Sequence, residues 1–257
     1  MCYHLSYFVF FIDNLVNIVK STDVGCYISS TFAGILLYAD DIMLLAPTVT
    51  ALQIMLVACE LEFKSIGMQI NVQKSACMRF GYRYDSPCSS IISLSGNTLK
   101  WVTSFKYLGI VIVSGKRFRC LFDACKKTFF GSFNVIFGRV GRLASEDVIL
   151  HLTRTKCLPV LLYAIEACPL LSRDIHSLEF VINRCLMTLF KTSSLTIVNE
   201  CCDFFGSAPI RLTIETRTAK FLERYISSEN IVCSCFVRIA TAQLYELLRA
   251  TANRPTL

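Results

Sequence analysis

The chain has 257 residues, 54% hydrophobic and 18% charged, enough apolar material to bury one sizeable core or two modest ones, which excludes a disordered chain. Most of its fourteen cysteines fall singly along apolar segments, as at Cys59, Cys77, Cys157, Cys168 and Cys185, a distribution that reads as reduced intracellular thiols and not as a disulfide framework. No export signal is expected, because Asp13 and Asn14 interrupt the early apolar run that starts at Tyr7.

In chain order, residues 32 to 38 read as a strand, Ala39-Asp40-Asp41 as a tight turn and Ile42 to Ala46 as a second strand, which together make a hairpin with acidic residues at its tip. Thr48 or Thr50 then caps a helix running to about Ile66. Its Leu52, Leu56, Cys59, Phe63 and Ile66 share a face, and Gly67 closes it. Short strands are expected at Gln69 to Val72 and Ala76 to Phe80, then a hairpin pairing Ile91 to Leu94 with Thr98 to Val102 around Ser95-Gly96-Asn97. Phe105 to Ile112 continues in strand-like residues. After Gly115 the pattern turns helical, with helices expected at about 117 to 138, 145 to 166 capped by Ser145, and 172 to 190 capped by Ser172. Ile210 to Ser227 and Val232 to Ala250 are helical by the same reading. These shifts divide the chain into a mixed region 1–115, a helical region 116–192 and a helical extension 193–257.

A mean hydropathy of +0.52 makes a membrane protein the first rival class. The best span, Ile42 to Cys59, has eighteen uncharged residues, about the minimum for a bilayer core. Pro47-Thr48-Val49-Thr50 cuts it into a strand and a capped helix, as in a soluble βα unit, so no membrane partner is expected.

Charge is unevenly distributed. Residues 1 to 115 hold seven cations and seven anions, and residues 143 to 257 hold twelve and eleven. Nearly all the excess behind the net +7 lies between: Lys116, Arg117, Arg119, Lys126, Lys127, Arg139 and Arg142 face only Asp123. That stretch is either a surface for a polyanion or a solvated helix face. Cys201-Cys202 and Cys233-Ser234-Cys235 lack a second Cys/His pair at zinc spacing, so no zinc site is expected.

Tyr38-Ala39-Asp40-Asp41 is the constellation that carries chemistry. Two carboxylates on a rigid hairpin turn suit two Mg²⁺ ions roughly 4 Å apart, which clamp the attacking hydroxyl and the leaving pyrophosphate of a nucleotidyl transfer. Taken alone, an Asp-Asp turn between strands is also ordinary turn chemistry.

The surroundings add a resemblance. The frame Gly34-Ile35-Leu36-Leu37-Tyr38-Ala39-Asp40-Asp41-Ile42-Met43-Leu44-Leu45-Ala46-Pro47 resembles the active-site hairpin of non-LTR (LINE-like) retrotransposon reverse transcriptases. In order after it, Gly67 to Ser75 resembles the next palm motif, Phe105-Lys106-Tyr107-Leu108-Gly109 the primer-grip hairpin, and Leu158 to Glu166 a stretch in the helical thumb. Before it, Leu5-Ser6 and Phe11 to Leu15 resemble the end of the preceding motif. The likeness spans roughly residues 5 to 190.

It implies an α+β fold: a partial palm of antiparallel sheet with a packing helix, followed by an all-helical thumb and extension. It also implies RNA-directed DNA polymerisation with Mg²⁺, on an RNA template, a DNA primer and deoxynucleotide triphosphates. Asp40 would be the principal metal ligand and Asp41 its partner, with Tyr38 beside the primer terminus and Lys74 near the nucleotide phosphates. Phe105, Tyr107, Leu108 and Gly109 would form the primer grip, with Gly109 permitting close backbone approach. The cations from Lys116 to Arg142 would face the template-primer backbone.

Two departures qualify the likeness. The family's earlier palm Asp and its fingers are expected before residue 1, and Tyr7 stands where the family usually has Pro. The expectation is therefore a fragment, inactive by itself, located in the nucleus or cytoplasm. The alternatives are a non-catalytic nucleic-acid-binding remnant or a membrane-associated apolar protein.

Overall fold

The computed structural model describes residues 13–141 and 143–252. The expected motif remnant at Leu5-Ser6 and Phe11-Ile12, the departure at Tyr7, and Arg142 lie outside the described residues. Contacts divide the chain into two compact units. The first holds residues up to Phe105 with Ser114–Arg117 and Glu229–Phe236; the second holds Lys106–Val113, Phe118–Ser228 and the chain from Val237 onward. The fold is α+β, small and mainly antiparallel sheets followed by a helical C-terminal region.

In the first unit, residues 13–21 form helix α1. Strands β1 (Tyr27–Ile28) and β2 (Thr31–Phe32) make a small hairpin, and β3 (Ile35–Tyr38) pairs antiparallel with β4 (Asp41–Leu44). The single strand expected over residues 32–38 is therefore two, broken at Ala33-Gly34. Helix α2 spans Val49–Ser65; Thr48 caps it, its side chain accepting a hydrogen bond from the Ala51 amide at 3.1 Å.

Gly67 ends this helix with φ 72°. Its amide donates to Lys64 O (3.2 Å) and the Met68 amide to Phe63 O (2.8 Å), the paired bonds of a left-handed helix stop. Met55, Cys59 and Phe63 of α2 pack with Leu15, Val19 and Ile35 in one core, while Leu56 joins Cys77, Ile91 and Leu99 in a second. Ile66, expected on the buried face, is 45% exposed, because the helix stops there and the chain turns away.

The second core is covered by a three-stranded sheet of β5 (Ala76–Cys77), β6 (Ile91–Ile92) and β7 (Thr98–Trp101), in the order β5-β7-β6, with β5 parallel to β7 and β6 antiparallel to it. Gln53 on α2 holds the edge strand as another strand would. Its amide nitrogen donates to Ile92 O (2.7 Å) and its carbonyl accepts from the Ile92 amide (2.8 Å). Glu60, buried on the same helix, accepts from the Leu94 amide at 2.8 Å. No strand forms at Gln69 to Val72; Asn71 starts a turn that takes the Lys74 and Ser75 amides. The strand expected to reach Phe80 stops at Cys77, and Phe80 forms an isolated bridge with Gly115.

A three-stranded sheet, order β10-β9-β8, is made of β8 (Ser104–Tyr107), whose last two residues open the second unit, β9 (Ile110–Val113) and β10 (Arg119–Leu121). Strand β10 falls where the sequence reading starts a helix. Cys120 faces inward between exposed Arg119 and Leu121, a period of two too short to outweigh the helical pattern after it. Helix α3 accordingly runs Asp123–Val140.

The helix expected over 145–166 is not continuous. Helix α4 (Glu146–Leu152) passes through a π-helical turn at Thr153–Cys157 into α5 (Leu158–Leu161), and Ala164 turns left-handed at φ 52° before a 3-10 turn at Ile165–Ala167. Pro159 lacks the amide a regular helix needs, and the Thr153 hydroxyl back-bonds to Ile149 O at 2.8 Å, so the helical hydrogen-bond ladder is loosened there. Ser145 occupies the N-cap of α4 but makes no capping bond. For α6 (Ser172–Leu189) the cap residue is Leu171, whose amide donates to Asp174 at 3.0 Å, so the cap expected at Ser172 is displaced by one residue.

Helices α7 (Leu195–Phe204), α8 (Ile210–Ile226) and α10 (Val237–Ala252) complete this unit; α9 (Ile231–Ser234) belongs to the first. Phe129, Phe133, Ile149, Leu161, Leu178 and Val198 are the fully buried centre of one large apolar core. Arg217–Glu166 (3.4 Å) and Arg211–Glu179 (3.3 Å) fasten α8 to its neighbours. Ile42 to Cys59, the span weighed as a membrane segment, is split between β4 and α2. Among the described residues only Glu146–Ala167 is long and apolar enough to cross a membrane, and its Ile149, Leu150, Cys157, Leu161 and Ile165 are members of this core.

Candidate functional site

The acidic hairpin is shaped by alternation. Ile35 lies opposite Leu44 and Leu37 opposite Ile42, and these four side chains pack toward the α2 core. The intervening pairs, Leu36 with Met43 and Tyr38 with Asp41, therefore project from the other face of the pleat. Leu36 and Met43 are half-buried there, while Tyr38 is 62% exposed and Asp41 is exposed. Ala39 and Asp40 form the two-residue turn, with Ala39 left-handed at φ 49°. Among the described residues neither carboxylate is engaged by a hydrogen bond or a cation. Two acceptor groups are thus presented to solvent from a backbone braced by an apolar core, as a hard oxygen-liganded cation requires.

Lys74 lies on an exposed turn, its amide bonded to Asn71 and its side chain exposed. No hydrogen bond or ion pair joins it to Asp40 or Asp41.

Phe105 and Tyr107 are half-buried on β8, and Leu108-Gly109 turn the chain into β9 with φ 46° and 84°. Both values are left-handed, the geometry that matches the twist of the flanking strands. A Cβ on Gly109 would stand 2.8 Å from the ring of Tyr163. The close approach anticipated at this glycine is therefore made by Tyr163, from the stretch that was expected to belong to the thumb. Between the two segments lies a cavity of about 410 Å³ lined by Lys106, Ile110, Phe122, Pro159 and Tyr163. Sequence reasoning had no signal for this meeting, which spans more than fifty residues.

The cations of the basic stretch are not equivalent. Lys126 is engaged by Asp123 (2.7 Å) and by the Ser177 hydroxyl (3.0 Å), which makes it a structural tie between α3 and α6. Lys116 stands 5.7 Å from the centre of the Tyr82 ring. Arg117, Arg119, Lys127 and Arg139 are exposed and make no ion pair among the described residues.

Residues 6–112 match the family model of reverse transcriptase (RNA-dependent DNA polymerase). The match supports a reverse transcriptase. It covers under half of the chain, contains the acidic hairpin, Lys74 and the Leu108-Gly109 turn, and ends within β9. No curated protein matches the chain. A reverse transcriptase works on a nucleic-acid template and primer with deoxynucleotide triphosphates and a divalent metal, typically Mg²⁺. The donor chemistry of the hairpin fits that metal, but its number of donors does not. Among the described residues no group of three or more His, Cys, Asp or Glu side chains is placed to hold an ion.

The buried thiols Cys59, Cys77, Cys168 and Cys185 offer no competing chemistry. Burial pushes Cys59, Cys168 and Cys185 up to about 12 and Cys77 up to about 11, so at neutral pH they are neutral and poorly nucleophilic. The folded chain holds these protons more tightly than the unfolded one, so their contribution is fully present below about pH 9 and is lost as pH climbs toward about 12. Urea titrations should show stability falling progressively across that alkaline window, and Cys59→Ala should flatten the slope; a slope unaffected by the change contradicts the assignment.

Proposed function

We propose that the chain is a non-LTR (LINE-like) retrotransposon reverse transcriptase segment, comprising part of the palm and a helical thumb, and acting in the nucleus or cytoplasm. The observation that carries this reading is the solvent-facing carboxylate pair on an apolar-braced hairpin, lying within a stretch that matches reverse transcriptases. In this reading Asp40 is the main metal ligand, Asp41 its partner, and Tyr38 packs beside the primer terminus. Lys74 offsets charge on the nucleotide phosphates. Phe105, Tyr107, Leu108 and Gly109 grip the primer, and the exposed cations Arg119, Lys127 and Arg139 contact the template-primer backbone.

These 257 residues acting alone polymerise little or not at all, since two carboxylates hold a metal pair poorly. Nucleic-acid binding is the activity retained. Primer extension on a homopolymeric RNA template with a DNA primer and Mg²⁺ tests both halves. The expected result is no product above a no-protein control. Extension that Asp40→Asn abolishes would show a working site and overturn the inactive reading while keeping the family reading. Extension that survives Asp40→Asn would remove Asp40 from the chemistry.

A further inference from the structure

A second surface of the first unit, apart from the acidic hairpin, has the chemistry of a binding platform. Within five residues Phe80, Tyr82 and Tyr84 are 43%, 87% and 38% exposed. Such a density of exposed rings is costly unless something covers or stacks on them. The loop that carries them is pinned. The Gly81 amide donates to Gly115 O (2.9 Å), the Tyr84 amide to Gly81 O (3.2 Å), and the Ser86 amide to Arg83 O (3.1 Å). Arg79 reaches Ser86 O at 3.4 Å and Cys88 Sγ at 3.2 Å, and the Trp101 indole N–H donates to Ser89 O at 3.0 Å.

Pinning Gly81 to Gly115 also brings the next two residues, Lys116 and Arg117, alongside the loop. The Lys116 ammonium stands over the Tyr82 ring, and Arg83 and Arg117 are exposed nearby in the same unit. Across residues 79–88 and 114–117 the only anion is Asp85, against Arg79, Arg83, Lys116 and Arg117.

We propose that Tyr82, flanked by Tyr84, Arg83, Lys116 and Arg117, is a stacking platform for single-stranded nucleic acid. A base stacks on the ring face away from Lys116, and the flanking cations take the phosphates of the same strand. Exposed aromatic faces select unpaired bases, because a duplex keeps its bases stacked inside and offers only phosphates. A pinned loop loses little freedom on binding, so the stacking energy is not spent on ordering it. An acidic polypeptide would satisfy the cations but gives the rings nothing to stack on. This inference deepens the nucleic-acid reading above and rests on it.

The test is fluorescence anisotropy on the full chain with labelled oligo-uridine, oligo-thymidine and an RNA·DNA hybrid, with polyglutamate as competitor. Tyr82→Ala should weaken single-strand binding about tenfold, Tyr82→Phe should preserve it, and hybrid binding should not change. A preference between the two single strands would say whether RNA or DNA occupies the platform. Unchanged single-strand affinity in Tyr82→Ala, or displacement by polyglutamate at equal charge, would overturn the platform. The two readings fail separately: single strands bound through Tyr82 with no hybrid bound would sink the thumb reading and leave the platform standing.

Discussion

Hybrid-duplex affinity of the chain should fall about 40-fold as salt rises from roughly 50 to 200 mM, because three cations each releasing one condensed counterion give a slope near −2.7 in log–log coordinates. The three are Arg119, Lys127 and Arg139 of the second unit, exposed and without an ion pair among the described residues. Lys126 is left out because Asp123 and Ser177 already hold it. Freeing it would cost two contacts for each phosphate gained. Replacing Lys127 or Arg139 by Ala should reduce the slope by about one each, while Lys126→Ala should leave the slope alone and loosen the α3–α6 packing instead. Measured slopes that ignore Lys127 and Arg139 but respond to Lys126 would reverse the assignment and make the basic stretch a set of structural ties.

The contrast between Lys126 and Lys127 shows what a sequence can and cannot convey here. Seven cations in one stretch were plain from their order, and so was the presence of Asp123. Ser177, the other partner of Lys126, lies 51 residues away, and nothing local announces it. The acidic hairpin was legible because its strands alternate against a buried helix and its turn residues are polar. Helix α2 was legible for a similar reason: Thr48 and Gly67 mark its two ends by side-chain and backbone chemistry that acts within four residues.

Where the reading failed, a local signal competed with a tertiary one. Arg119-Cys120-Leu121 is strand only because β9 lies beside it, and on its own it merges into the helical run that follows. The π-helical turn at Thr153–Cys157 had its causes on display in Thr153 and Pro159, yet the apolar periodicity across 145–166 is strong enough to hide them. Helix α7 lies in the region read as helical but had no bounds in that reading, because it begins Leu195-Thr196-Ile197-Val198, a β-branched run whose helical state depends on burying Val198 in the large core. For the site, the carboxylates and the glycine turn were visible, but the neighbour of Gly109 was not, since Tyr163 is brought there by a fold the hairpin does not encode.

Phe129→Ala should destabilise the second unit by about 3–5 kcal/mol, the largest single-residue effect expected in the chain. Phe129 is fully buried, packs edge-on to Phe130, and lies on the face of α3 that also carries Phe133, itself stacked on Phe137. The ring is held between α3 and the helices that follow, and rigid helices do not collapse into the space that its removal leaves. Phe180 is the control. It is 62% exposed on α6, and its replacement by Ala should cost under about 1 kcal/mol. Urea unfolding followed by far-ultraviolet circular dichroism reads both. The consequence reaches the proposed function, because Lys127 and Arg139 ride on the same helix. A loosened α3 should weaken hybrid binding without any change of charge, while single-strand binding through Tyr82, carried by the other unit, should persist. Equal loss of both activities in Phe129→Ala would mean that the two units do not fold as separate cores.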